Sequence, residues 1–184
     1  MSKIVYYLTG MNGRLSTGLG EALLSRGVDL TGRELVGDFR NFTFQEQIDT
    51  VADDLANHFL TEDSYVVGSS FGAYLFLHAQ IKLLKPFIGN VLLLSPIVGE
   101  FSNENTLMNF IPPRPNALME FAKGGNFPKL SKCTIHVGAE DWQSIPTNVE
   151  TFGDLIGVKV HVVANAGHML PKPYVGELLD MWLA

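Results

Sequence analysis

One stretch of the chain, residues 65–79, constrains the fold more than any other. It begins with a short apolar run typical of a buried strand and ends with a longer apolar run typical of a buried helix. Between the two runs lies Gly-Ser-Ser-Phe-Gly, residues 68–72, so the strand must turn into a helix within a few residues. We expect Ser70 to adopt a strained backbone conformation at the helix N-terminus. Both glycines are needed because a side chain at either position would collide with neighbouring backbone.

The rest of the chain alternates between strand-like and helix-like segments. Strands are predicted at residues 3–8, 28–30, 64–67, 91–95, 133–137 and 159–163, and helices at 15–26, 71–84, 148–156 and 174–183. A further helix follows Thr43 and Glu46, whose spacing forms a capping box, and it presents an apolar face from Phe44 to Phe59. This alternation predicts one α/β domain over residues 1–184, a three-layer α/β/α sandwich around about six parallel strands.

Residues 97–130 depart from this pattern because the segment is longer than an ordinary connection between a strand and a helix. It combines several prolines and glycines with an apolar cluster, and a short helix is plausible at 116–123. Two interpretations remain open. The segment either covers one edge of the sheet or forms a small partial cap over Ser70. The apolar cluster consists of Leu107, Met108, Phe110 and Ile111.

Three reactive side chains follow three different strands. Ser70 follows one, Asp141 and its neighbour Glu140 follow the next but one, and His168 follows the last. Ligands bind beyond the carboxyl ends of parallel strands, so these side chains should meet at one edge of the sheet. A serine hydroxyl needs an adjacent base to become nucleophilic, histidine can serve as that base, and a carboxylate orients the histidine. The sequence therefore predicts Ser70 as nucleophile, His168 as base and an acid after the strand that begins at residue 133.

The glycine-flanked serine in a strand–turn–helix context, followed by an acid and then a histidine, resembles the α/β-hydrolases. The resemblance spans the chain in a reduced form, close in size to small, nearly lidless bacterial serine hydrolases and to retinoblastoma-binding-protein-type serine hydrolases. It implies parallel strands in the order 2-1-3-4-5-6. The run from Gly138 to Asp141 looks like the acid turn of that superfamily, which favours Asp141 over Glu140.

The resemblance also implies an oxyanion site and a substrate pocket. The oxyanion donors would be the backbone N–H groups of Phe71, which follows the nucleophile, and of Met11, in the loop after the first strand. That loop reads Thr9-Gly10-Met11, where the family often has histidine in place of Thr9. The side chains expected to contact substrate are apolar: Leu107, Met108, Phe110 and Met169.

The resulting hypothesis is a serine hydrolase that acts on a small-molecule ester or thioester, with no metal or organic cofactor. The formal net charge of −6 argues against nucleic acid or an anionic membrane as the main partner. No apolar run is long enough to cross a bilayer, none resembles a signal peptide, and the single Cys133 cannot form an internal disulfide. We therefore expect a cytoplasmic protein. The oligomeric state stays open.

Two alternatives belong to other functional classes. A non-enzymatic interaction module could use the same scaffold, since a fold does not determine function. The glycines between Gly10 and Gly20 faintly resemble the dinucleotide-binding turn of short-chain dehydrogenases. However, their spacing is too wide, and neither Tyr74 nor Tyr174 is followed four residues later by lysine. An NAD(P)-dependent oxidoreductase is therefore the weaker alternative.

Overall fold

Parallel pairing joins six strands into the central sheet of the computed structural model, which describes residues 2–184. Within these residues the strands are β1 (Ile4–Met11), β2 (Asp29–Leu35), β3 (Tyr65–Ser69), β4 (Asn90–Leu94), β5 (Phe101–Asn103), β6 (Met108–Phe110), β7 (Cys133–Gly138) and β8 (Lys159–Val163). The sheet order is β2-β1-β3-β4-β7-β8, and each adjacent pair is parallel. The predicted order is confirmed, because numbering the sheet's strands along the chain gives 2-1-3-4-5-6.

Helices cover both faces of this sheet and complete the predicted three layers. They are α1 (Leu19–Leu24), α2 (Gly37–Asn41), α3 (Phe44–His58), α4 (Phe71–Lys82), α5 (Ala117–Lys123), α6 (Pro146–Ile156) and α7 (Lys172–Trp182). α1 and α7 pack on the face that carries Val5 and Tyr7, whereas α3, α4, α5 and α6 pack on the face that carries Tyr6 and Leu8. Of the helices formed by residues 2–184, none combines the length and apolar character needed to cross a membrane.

The N-terminal third differs most from the predicted boundaries. α1 begins at Leu19 rather than residue 15, because Gly18 takes a positive φ of 56° that a helix cannot continue through. β2 extends to Leu35 although only residues 28–30 were predicted as a strand. This strand lies at the edge of the sheet and is only partly buried, so it lacks a continuous apolar run. α2 was not predicted, since five residues are too few to show a helical period.

The capping box before α3 forms as predicted. The backbone N–H of Glu46 donates to Thr43 Oγ1 at 3.3 Å, and the backbone N–H of Thr43 donates to Glu46 Oε2 at 2.8 Å. The apolar face of α3 then packs against α4 through Ile48, Val51 and Leu55, all of which are buried. This packing supports the helix that carries Ser70 at its N-terminus.

The segment 97–130 forms an antiparallel hairpin, β5 and β6, followed by the expected short helix α5. The hairpin itself was not predicted. Its apolar cluster does not act as one unit: Leu107, Met108 and Ile111 are exposed, whereas Phe110 is half-buried. Phe110 stacks against Phe101, with ring centroids 5.0 Å apart. The core contacts of the segment come instead from residues outside the predicted cluster, including Phe101 and Leu118.

A buried histidine on α4 makes the stability of the fold sensitive to acid. His78 makes edge-to-face contacts with the rings of Phe44 and Tyr74, and within residues 2–184 its Nε2 has no hydrogen-bond partner. Burial, with a smaller contribution from the charge of Arg114, lowers the pKa of His78 to about 4. An unfolded histidine titrates near pH 6.5, so between pH 6.5 and 4 the unfolded chain binds a proton that the folded chain does not.

We therefore expect His78→Leu to reduce the loss of stability between pH 6.5 and pH 4. The stabilising contribution of neutral His78 is complete above pH 6.5 and is lost as the pH falls to about 4. Its removal should flatten the pH dependence of the free energy of unfolding by up to about 3 kcal/mol over that range. Denaturant melts of both proteins at several pH values provide the measurement, and parallel curves would contradict the expectation.

Candidate active site

Ser70 lies at the sharp turn between β3 and α4. Its backbone has φ 52° and ψ −119°, a conformation that residues other than glycine seldom adopt and that costs about 1–3 kcal/mol. The Ser70 N–H donates to the carbonyl of Leu94 at 3.0 Å, which fixes the turn to the end of the neighbouring strand β4. The predicted strained conformation at the start of the helix is therefore confirmed.

The two glycines around Ser70 allow backbone segments to pack directly on each other. A Cβ at Gly72 would lie 2.2 Å from the carbonyl oxygen of Leu8 and 2.4 Å from that of Thr9, both in β1. A Cβ at Gly68 would lie 2.8 Å from Cα of Ala73. Real side chains cannot make such contacts without moving the backbone, as the sequence predicted.

The three reactive side chains singled out in the sequence meet at this edge of the sheet. His168 Nε2 lies 2.8 Å from Ser70 Oγ, and His168 Nδ1 lies 2.9 Å and 3.0 Å from the two carboxylate oxygens of Asp141. With the proton on Nδ1, the ring donates to Asp141, and Nε2 accepts from the Ser70 hydroxyl. This arrangement can transfer a proton from Ser70 to the imidazole and stabilise the resulting positive charge.

Asp141 is fixed by its own turn. Its side chain is fully buried, and Oδ1 accepts backbone N–H hydrogen bonds from Gln143 and Ser144, each at 2.9 Å. Burial acts to raise the pKa of Asp141, but the hydrogen bonds from His168 and from these N–H groups hold that pKa below its ordinary value. The neighbouring Glu140 is exposed, and of these two carboxylates it is Asp141 that pairs with His168.

The C-terminal end of β1 lies beside Ser70. A Cβ at Gly10 would lie 3.3 Å from Ser70 Cβ and 3.9 Å from Ser70 Oγ, so the Gly10 backbone borders the nucleophile. Thr9 is buried, and its Oγ1 accepts from the Leu35 N–H at 2.9 Å and donates to the Gly13 carbonyl at 3.3 Å. These bonds give Thr9 a structural role at the position where the family often has histidine. The oxyanion roles of Met11 and Phe71 stay predictions.

A cavity close to Ser70 opens between α1 and α7 and not under the hairpin. This α1–α7 cleft has a volume of about 480 Å³. Its walls include Leu19, Ala22, Ser69, His168, Met169 and Val175. Of the four predicted substrate contacts, only Met169 lines the cleft, with 86% of its surface exposed.

Leu107, Met108 and Phe110 do not line this cleft, and their contact with substrate stays a prediction. Leu107 is 92% exposed at the hairpin turn, and Met108 is 50% exposed. Phe110 instead contacts Phe71, the residue after Ser70, with ring centroids 6.3 Å apart. The hairpin holds its turn residues in solvent, which the local sequence does not reveal.

Sequence reasoning did not find the helical walls of the cleft, nor one of its lining residues, Ser95. Ser95 follows β4, has φ 44°, and is buried, with no hydrogen-bond partner for its Oγ in the part of the chain that the structure describes. Its N–H donates to the carbonyl of His136 at 2.8 Å, and its carbonyl accepts from Ser144 Oγ at 2.6 Å. The available signal was its position at a strand's carboxyl end, as for Ser70.

No family model matches the chain, and neither does any curated protein sequence. Solved structures resemble it over its whole length. The ydeN gene product from B. subtilis has a TM-score of 0.69 at 17% identity, with 99% of both chains covered. A carboxylesterase from Nitrososphaera gargenis has a TM-score of 0.66 at 12% identity, with 99% of this chain and 90% of that one covered. BpoC from Mycobacterium tuberculosis, described as a candidate non-heme bromoperoxidase, has a TM-score of 0.67 at 15% identity, covering 100% and 92%.

Identities of 17% or less show a shared fold, and the activities of these proteins do not transfer with it. The comparison nevertheless agrees with what the backbone shows independently. The sheet is parallel, its order reverses once beside β1, and a serine stands on a strained turn between its third strand and the following helix. The chain has the α/β-hydrolase fold, reduced to six parallel strands.

Proposed function

We propose that this chain is a serine hydrolase that cleaves an ester or thioester through a covalent acyl-enzyme. The proposal rests on one observation, the hydrogen-bonded series from Ser70 Oγ through His168 to Asp141, with contacts of 2.8 Å and 2.9 Å. A free serine hydroxyl is a weak nucleophile near neutral pH, and a base within hydrogen-bond distance removes that limitation. The strained turn supports the same proposal, because such strain is concentrated at functional sites.

Acylation would begin when His168 Nε2 takes the proton of Ser70 and Oγ forms a bond to the substrate's carbonyl carbon. The carbonyl electron pair moves onto oxygen, where backbone N–H groups of Met11 and Phe71 would donate to it. Phe71 is the first residue of α4, so its N–H has no acceptor within that helix. A single donor of this kind is worth about 10²–10³ in kcat.

Collapse of the tetrahedral intermediate breaks the bond to the leaving oxygen or sulfur, and His168 donates its proton to that atom. Asp141 stabilises the imidazolium that exists between the two proton transfers. Since its pKa lies below the ordinary value, the carboxylate remains charged at neutral pH. A water molecule then repeats the sequence on the acyl-enzyme, releases the acid and restores the Ser70 hydroxyl.

Ser70→Ala should abolish covalent labelling by a fluorophosphonate probe and lower kcat by about 10⁴–10⁶, because the attacking atom is absent. Mass spectrometry of the labelled protein and steady-state rates on p-nitrophenyl acetate are the measurements. In the control Ser69→Ala, the probe should still attach to Ser70. Labelling that is lost in Ser69→Ala and retained in Ser70→Ala would instead identify Ser69 as the nucleophile. A native chain that takes up no label would favour the non-enzymatic alternative.

Asp141→Asn should leave the fold intact and lower kcat by about 10⁴, since an amide favours the wrong tautomer of His168. The matched control is Glu140→Gln, one residue earlier, which removes a carboxylate that is exposed. Rates on the same ester, compared with the thermal melts of all three proteins, provide the test. A large loss in Glu140→Gln with near-normal turnover in Asp141→Asn would overturn the assignment.

Phe110→Ala should change the preference between short and medium acyl chains, if the acyl group lies on the hairpin side of Ser70. The basis is the contact between Phe110 and Phe71, the residue after the nucleophile. Because Phe110 is only half-buried, its truncation should lower the melting temperature much less than removal of a core phenylalanine, which costs about 3–5 kcal/mol.

The control is Leu107→Ala at the exposed hairpin turn, which should alter neither quantity. Rates on a series of p-nitrophenyl esters from acetate to octanoate provide the acyl profile. A marked drop in melting temperature with an unchanged profile would mean that Phe110 only supports the fold.

A further inference from the structure

The α1–α7 cleft meets the site at His168, and Ser70 itself is not among its lining residues. His168 and Met169 form part of its wall, and so does Ser69, the residue before the nucleophile. Phe71 and Met11, the expected oxyanion donors, are not among its lining residues. The cleft therefore opens beside His168, whereas Phe71 and the hairpin residue Phe110 pack in the core on the opposite face of the sheet.

The position of the histidine decides which half of an ester can reach this cleft. His168 Nε2 must come within hydrogen-bond distance of the leaving atom, because it donates the proton that the leaving alcohol or thiol needs. In the structure Nε2 is 2.8 Å from Ser70 Oγ, and the same ring lines the cleft. We propose that the α1–α7 cleft binds the leaving group of the substrate, an inference that rests on the proposed hydrolase function.

The walls of the cleft define the chemistry of that leaving group. Leu19, Ala22, Leu94, Leu170 and Val175 give them a mainly apolar surface. A volume of about 480 Å³ is within the range of sites that hold small organic molecules. An alkyl chain of several carbons or an aromatic ring fits this description. Each methylene buried there should raise kcat/KM about fourfold.

The charged residues of the cleft favour a neutral group. Arg26 is committed to the protein: its Nε donates to Asp180 at 2.7 Å, and its Nη atoms donate to the carbonyls of Ala22 and Gly176 at 2.7 Å and 2.8 Å. These bonds join α1 to α7. The remaining charged lining residues, Glu21 and Lys172, have opposite signs. The substrate class is therefore an ester or thioester of an uncharged, medium-length alcohol or thiol.

Three esters test the assignment without a change in leaving-group acidity: ethyl acetate, hexyl acetate and ethyl hexanoate. The last two are isomers that differ in which side of the ester carries the six-carbon chain. With the native protein, kcat/KM should be at least tenfold higher for hexyl acetate than for ethyl acetate. Ala22→Phe should lower this ratio at least tenfold, because the new ring fills the cleft, and should lower the ratio of ethyl hexanoate to ethyl acetate by less than twofold.

A second variant, Val175→Phe, fills the cleft from the opposite wall, so the result does not depend on how well α1 accepts a larger side chain. The matched control is Ala56→Phe on the exposed side of α3, which should leave both ratios unchanged. Thermal melts of the three variants show whether each one folds. A selective loss on hexyl acetate in either filled variant supports the proposal.

Two outcomes would overturn it, and they are distinguishable. If the native protein is labelled at Ser70 but the filled variants lose ethyl hexanoate and retain hexyl acetate, the cleft binds the acyl group. If the native protein is labelled at Ser70 and neither ratio changes in the filled variants, the cleft is not part of the substrate site. If the native protein neither takes the fluorophosphonate label nor hydrolyses any of the esters, the proposed function fails together with this inference.

Discussion

The direct contact between the start of α4 and the end of β1 is the constraint on which the rest of the site depends. With no side chain at Gly72, the helix can begin against the carbonyl groups of Leu8 and Thr9. The same approach brings Gly10 beside Ser70, while the Ser70 N–H bonds to Leu94 on the other side. Three neighbouring strands are thus tied to one turn by backbone contacts, and Ser70 has little freedom to move.

The reactive side chains could be predicted from the sequence because the topology of a parallel sheet determines where residues at its strand ends lie. In a parallel sheet the carboxyl ends of the strands share one edge, so residues far apart in the chain meet there. Ser70, Asp141 and His168 each follow a sheet strand, and the structure brings them together at that edge. The choice of Asp141 over Glu140 came from the resemblance of the run Gly138–Asp141 to the acid turn of the α/β-hydrolases, and the structure pairs Asp141 with His168.

The hairpin and the cleft could not be predicted for two different reasons. Leu107 and Phe110 are both apolar and only three residues apart, yet one is in solvent and the other packs against aromatic rings. The pairing of β5 with β6, which the local sequence does not indicate, determines which of the two side chains is buried. The cleft is formed by α1 and α7, which lie at opposite ends of the chain. The amino-acid sequence of neither helix indicates which of its residues line the cleft between them.

Under the proposed function, the residues that join α1 to α7 affect which substrates bind, whereas a different set of residues carries out the reaction. Besides their shared apolar contacts, the two helices are joined by Arg26, whose guanidinium group donates to an aspartate and two carbonyl groups, none of them at the sheet edge. The reactive residues are fixed by strands and turns instead. Under the proposed function, variation in the helix pair would therefore change which leaving groups the cleft accepts, while the residues that break the ester bond stay in place. Under the same proposal, a small protein with this fold can change the substrates it accepts through substitutions in its outer helices alone.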